Sequence, residues 1–364
     1  MSLLRRHFAL ALCGMALVFA TSASAGLYGF SSVEQTPKTA YEAVPPRKIL
    51  NYRKAMRDLV VSISNFGKSQ NKHFVVLPHE GQYLFNKSLW EEDLGYYNQI
   101  RSTKGYVDDA SFLSEDVADA KDLPPHVNKY INAVDGVVVN NHYCEHRPLD
   151  NEISQSKLPV FSIEQCASEQ ELDDAIAESL KDKVAIYPFL HPQTAFKKVV
   201  KQLIINENAD NIFTPKQARN IAFLLNDEDY ADRYRLIGDV RNSNFDVVVI
   251  DPFFQSKAPY TPEDVDSLKY KKNGAKRLVL AAVNLSELSE NSYLWHKEWR
   301  KSRPSWLAGQ SSVTPHTFVA QYWLPEWKHL LSRHIKGITD SGYDGVFLTG
   351  IENHRYFEQP LPLE

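Results

Sequence analysis

Four carboxylates follow short apolar runs in this chain: Glu80 after Phe74–Leu77, Asp251 after Val247–Ile250, Glu287 after Leu278–Val283, and Glu352 after Val346–Leu348. Carboxyl groups used in pairs can divide acid and base or nucleophile roles between them. Three histidines, His79, His142 and His354, stand near the ends of runs of the same kind and are suited to proton transfer or metal binding. No HExxH or comparable spacing sharpens the metal idea, and neither a metal nor a cofactor is expected. Each residue also has a plainer reading. Asp251, just before Pro252, orients a turn; Glu287 bonds neighbouring strand ends; His79 and Glu80 are solvated loop residues; His142 and His354 are surface or network histidines.

The runs that would carry these residues alternate with helical patterns, as in a parallel sheet with crossover helices. Expected strands are 74–77, 137–139, 160–163, 185–187, 247–250, 278–283, 318–322 and 346–348, with 234–237 as a ninth candidate. They are apolar without alternation, as expected for strands covered on both faces. Helix starts are marked at Ser168, Thr214 and Thr261, each followed three residues later by an acid or Gln. Leu331, Ile335 and Ile338 mark one helix face before the stop at Ser341-Gly342. Eight or nine βα units favour a closed (β/α)8 TIM barrel in the α/β class, and no GxGxxG or Walker loop follows any run. Long insertions are expected at 84–130 and 191–232 within a single domain spanning 26–364.

Composition sets the wider frame. The 364 residues are 43% hydrophobic and 24% charged, which fits a globular protein and excludes a disordered or coiled-coil one. No Lys/Arg cluster gives a nucleic-acid footprint. Arg5-Arg6, the apolar run 8–20 and Ala23-Ser24-Ala25 form the pattern of a secretory signal peptide over residues 1–25. Its cleavage implies a secreted or periplasmic protein and takes the net charge from −4 to −6. No later stretch is long and apolar enough to span a membrane. Cys13 leaves with the leader. Cys144 and Cys166 remain, as two buried thiols or, in an oxidising compartment, as a disulfide contributing on the order of 3 kcal/mol. Trp295, Trp299, Trp306, Trp323 and Trp327 crowd one segment. Such rings pack helices, or accept the C–H faces of sugars. Trp323 is the best placed for a pocket.

Phe245–Asp251, Leu280–Glu287 with the stretch to Trp295, Tyr322-Trp323-Leu324-Pro325-Glu326-Trp327 and Gly342–Leu348 resemble, in that order, motifs of the glycoside hydrolase family 114 barrels, the endo-α-1,4-polygalactosaminidase type. The segments 71–81, 134–140 and 158–188 resemble that family's sixth, seventh and eighth strands, yet here they come first. The order implies a circularly permuted barrel. The resemblance places catalytic carboxylates where this chain has Thr349 and Asn141. It also puts Glu287, Asp251, Glu80 and Glu352 on one rim, with Glu287 and Asp251 leading and Glu80 or Glu352 as partner. His79, Asn141, His142, Trp323, Thr349 and His354 would line the same mouth, and a Cys144–Cys166 bridge would pin two of its loops. The expected partner is a carbohydrate, and an amino sugar would suit the acidic rim. Three expectations follow: a barrel that binds a carbohydrate without cleaving it, an active glycosidase with relocated carboxylates, and a secreted non-catalytic protein that contacts a host or partner. No feature of the sequence names a protein partner.

Overall fold

The computed structural model describes residues 49–358, except 89, 93, 96–123, 150, 193 and 194. The leader read at 1–25 and the centre of the 84–130 insertion lie outside the described residues.

Thirteen strands are described. In chain order they are β1 (Val75–Pro78), β2 (Val137–Asn140), β3 (Val160–Gln165), β4 (Ala185–Phe189), β5 (Ile221–Leu224), β6 (Val247–Ile250), β7 (Phe253–Phe254), β8 (Ala258–Pro259), β9 (Leu278–Asn284), β10 (Glu287–Ser289), β11 (Leu307–Gln310), β12 (Thr317–Ala320) and β13 (Gly345–Thr349). Five form a parallel sheet in the order β1-β13-β9-β6-β5, and β2-β3-β4 form another. A parallel bridge between His79 and Val138 links the two sheets. No ladder joins β4 to β5 among the described strands, so a ring of hydrogen bonds is not closed.

The side chains follow the pleat. On one face Leu77, Val138, Phe161, Tyr187, Phe223, Val249, Leu280 and Phe347, one from each of the eight parallel strands, belong to a single buried cluster. On the other face Val76, Val248, Val279 and Val346 pack with the helices. The helix Pro325–Asp340 buries Leu330, Leu331, Ile335 and Ile338 there, each burial stabilising by about 1.5–3 kcal/mol. Gly342, at φ 81°, ends that helical stretch in a conformation that favours glycine.

The capping boxes behave as the residue types require. Ser168 accepts from the Glu171 N–H at 3.2 Å and starts the helix Glu169–Asp182. Thr261 and Asp264 reciprocate before Pro262–Leu268. Thr214 and Gln217 close a similar box, but only a single 3-10 turn, Pro215–Gln217, follows.

Three expectations are corrected. Residues 234–237 lie within a helix, Arg233–Arg241, because Asp232 caps it through the Arg235 N–H at 2.9 Å and Leu236, Ile237 and Val240 share its buried face. The run 318–322 supplies β12, which pairs antiparallel with β10 and β11 in a separate three-stranded sheet. The parallel strand that the sequence did not mark is β5, and it sits inside the segment read as the 191–232 insertion.

Candidate active site

The carboxyl-terminal ends of β1, β2 and β13 bend sharply. Glu80 and Asn141 adopt positive φ (55° and 51°), and Gly350 has φ 74°. Positive φ is uncommon for residues other than glycine and clusters at functional sites. At Gly350 a β-carbon would lie 2.3 Å from Asn284 Oδ1 and 2.6 Å from Ser286 Oγ, so only glycine fits. The bend directs the chain into the turn Ile351–Asn353, which packs on the turn Gly81–Leu84 that follows Glu80. β1 and β13 are hydrogen-bonded neighbours, so Glu80 and Glu352 meet.

Glu80 is buried, and Glu352 is mostly so, with its Oε1 shielded from water. Glu80 is 2% exposed; its Oε2 accepts from Gln82 Nε2 at 2.8 Å, and its Oε1 has no hydrogen-bond partner. Glu352 Oε1 likewise accepts no hydrogen bond, and the Arg355 guanidinium stands 3.6 Å away. Burial first, and the charge of Glu80 second, push the Glu352 carboxyl up to about 7; Arg355 and Arg147 oppose them. Tyr83 is beside both acids. Burial and the two carboxylates raise its hydroxyl to about 12, so it keeps its proton and remains a donor. The Arg355 guanidinium lies over the Tyr83 ring, 4.7 Å from its centroid. A cavity of about 60 Å³ opens here among Glu80, Tyr83, Asn140, His142 and Arg147.

The neighbouring elements fix this geometry. His79 Nε2 is 3.0 Å from Asn140 Oδ1, across β1 and β2, and burial lowers its pKa. Arg57, fully buried on the helix Tyr52–Gln70, donates to the carbonyls of Leu84 and Asn86 and pairs with both oxygens of Glu91. It thereby holds the stretch that follows Tyr83. Arg53 pairs with Glu358 at 2.6 Å, tying the first described helix to the end of the described chain. Cys144 and Cys166 form a disulfide between the loops after β2 and β3. Behind it Glu164, fully buried, accepts from the Tyr143 and Cys144 N–H groups and from the Ser162 hydroxyl.

The other residues singled out from the sequence have different surroundings. Asp251 Oδ1 accepts from the Phe253 N–H at 2.8 Å, the turn-orienting role. Glu287 Oε2 accepts from Asn284 Nδ2 at 3.3 Å, and the Asn284 oxygen holds the Glu287 N–H at 2.9 Å. Neither is among the charges that shift Glu352. Asn141 donates to Glu145 and accepts from the Gln165 N–H at 2.8 Å, so its amide braces two loops. A His142 ring nitrogen contacts the Arg147 carbonyl. His354 is fully buried with neither ring nitrogen hydrogen-bonded; burial, then Arg53, Arg355 and Arg57, drives its pKa far down. Thr349 is buried in register with Asn284. Trp323 packs on Tyr52 and Phe357, with centroids 5.0 and 4.6 Å away. Trp327 donates to the Leu285 carbonyl at 2.7 Å and packs on Trp306.

Tyr83, Arg147 and Arg355 were not singled out from the sequence. Tyr83 and Arg355 each lie three residues beyond a named carboxylate, the spacing that returns a side chain to the same side of a tight helical turn. That was the available signal. No cluster of His, Cys, Asp and Glu suited to a metal occurs among the described residues.

No family model matches the chain. It is similar to an uncharacterized protein of Methanocaldococcus jannaschii, 25% identical over 162 residues, which is 43% of this chain and 46% of the relative. It is similar to one of Thermotoga maritima, 24% identical over 127 residues, 33% of this chain and 37% of the relative. A protein of Deinococcus radiodurans is 25% identical over 116 residues, 32% and 36% of the two chains. The chain thus matches less than half the length of each of these curated relatives.

Proposed function

We propose that this protein is an exported, glycoside-hydrolase-like (β/α)8 barrel that takes a carbohydrate at the carboxyl-terminal ends of its parallel strands. Glu352 is its proton-bearing carboxyl and Glu80 the partner carboxylate. The barrel reading draws on the inner cluster shared by all eight strands and on Tyr187 of β4 meeting Phe223 of β5 edge-on at 5.3 Å, which joins the two sheets by packing where no ladder does. Around the sheet the strands run β5-β6-β9-β13-β1-β2-β3-β4, which is chain order once the row is closed into a ring, the order of a (β/α)8 barrel. The substrate class comes from the family 114 resemblance, and an acidic mouth suits a cationic amino sugar.

One observation carries the catalytic reading: a buried carboxyl held near neutrality beside a second carboxylate. At pH 7 such a group is protonated about half the time and can give its proton to a leaving oxygen. Glu80 is then the base or nucleophile, and Tyr83 a neutral donor between them. The test is reducing-sugar release from a panel of amino-sugar polymers. Wild type should release sugar, and Glu352→Gln should reduce the rate by at least about 100-fold. The alkaline limb of the wild-type profile should fall near the pKa of Glu352. A wild type that releases nothing overturns hydrolysis.

A second reading, binding without cleavage, is favoured by Thr349 and by an Asn141 whose amide is already committed to Glu145 and Gln165. Saturable binding of the same polymers with no release would select it.

A further inference from the structure

A second, larger cavity lies away from Glu80 and Glu352. It is a groove of about 710 Å³ on the helix-bearing side of the sheet, between the helix Pro325–Asp340, the turn after β6 and the segment that follows β10. That volume is within the range of small-molecule sites. Three rings stack along it: His334 on Phe253, 5.3 Å between centroids, and Phe253 on Tyr293 at 4.5 Å. Tyr293 lines the groove and is half exposed.

The polar groups of the groove are mostly donors. Trp295 Nε1 is buried with no hydrogen-bond partner. Tyr343, 3% exposed, has a hydroxyl with no partner. Arg333 makes no ion pair among the described residues, and burial lowers His334 to about 4, leaving it uncharged at neutral pH. Asp340, the one acid in the lining, is taken by Lys336 at 2.6 Å. A donor left unpaired in a desolvated wall costs free energy that an acceptor-bearing ligand would recover. Near the Tyr343 hydroxyl the charges of Asp251 and Asp264 are felt, so that end suits a ligand hydroxyl rather than an anion, and the anion belongs at Arg333.

We propose that this groove is a second glycan site, selective for a sugar ring bearing a carboxylate: the ring face packs on Tyr293, the carboxylate pairs with Arg333, and hydroxyl and ring oxygens meet Tyr343 and Trp295. An aromatic acid would satisfy the ring stack and Arg333 but would leave Tyr343 without its hydroxyl. The inference takes only its ligand class from the carbohydrate reading above, and its site is separate from Glu80 and Glu352.

Isothermal titration calorimetry with trigalacturonate tests it, using the full mature chain. Trigalacturonate should bind, and Arg333→Ala, at an exposed position, should weaken binding about tenfold. Tyr293→Ala should weaken it severalfold, and Glu352→Gln should leave it unchanged. A neutral trisaccharide, a chitosan trimer and indole-3-acetate should all bind more weakly. The proposal is overturned by no trigalacturonate binding, by equal binding to Arg333→Ala, by loss in Glu352→Gln, or by preference for any of the three comparison ligands. Because the readout is binding, a failed sugar-release assay would leave this result standing.

Discussion

The parallel strands carry carboxylates at both ends, and the two sets are treated differently. At the amino-terminal ends Asp135, Asp246 and Asp344 each precede a strand by one or two residues. Asp135 accepts from the Val76 N–H and pairs with Lys68; Asp344 accepts from the Val279 N–H and pairs with Lys269. Asp246 holds the Arg219 N–H and a fully buried Lys271. These acids fix the stagger of adjacent strands, and every one has a cation. At the carboxyl-terminal ends Glu80 and Glu352 face each other with one oxygen apiece unbonded. One end spends its carboxylates on register, whereas the other sets Glu352 against Glu80, and burial and that neighbour outweigh Arg355 to raise the Glu352 carboxyl. That division matches what is known of parallel α/β proteins, in which the carboxyl ends of strands carry chemistry.

The contrast predicts effects of opposite sign. The largest is Lys271→Met. It strands Asp246 in a dry site and should cost about 3–5 kcal/mol, measured by urea unfolding; a loss under 1 kcal/mol would show that the amino-terminal pairs do not hold the sheet. Next comes Glu352→Gln. Folding raises this carboxyl from 4.5 to about 7, so the native state binds more protons between those values and stability falls as pH rises through them. Glutamine removes that cost. The variant should be more stable than wild type by about 3 kcal/mol at pH 8 and equal to it near pH 4. Equal stability at both pH values would mean that the Glu80–Glu352 contact is not strained. The last is His334, whose pKa burial lowers to about 4. Here the unfolded state binds the extra proton, so the stability is present above pH 6.5 and is lost as pH falls toward 4. His334→Gln should remove up to about 3 kcal/mol of that acid sensitivity, less whatever the lost stacking on Phe253 costs. Unchanged acid sensitivity in the variant would show that His334 is not kept neutral by burial.

Much of the scaffold was legible because its signals are local. The boxes at Ser168 and Thr261 need only side chains three residues apart, and the unbroken apolar run of β6 needs only its own composition. What failed depends on partners. The run 318–322 has the same composition as a parallel strand, and nothing in so short a stretch records which way its neighbours point. Residues 234–237 are rich in large apolar types, yet the Asp232 cap and the helical spacing to Val240 outweigh that propensity. β5 has four apolar residues inside a polar segment and was hidden by its length. At the site, Glu80 and Glu352 were named from the sequence, but their pairing with each other required β1 to lie beside β13. Glu287 and Asp251, the leading pair from the sequence, have other surroundings: Glu287 accepts from Asn284, and Asp251 from the Phe253 N–H.

The neighbours β1 and β13 come from the beginning and the end of the described chain, with the other strands of both sheets between them in sequence. Glu80 therefore lies far ahead of its counterpart in the chain and meets it only when β13 joins β1. A chain lacking β13 cannot bring the two acids together, so the coupling between them reports on the docking of β13 against β1.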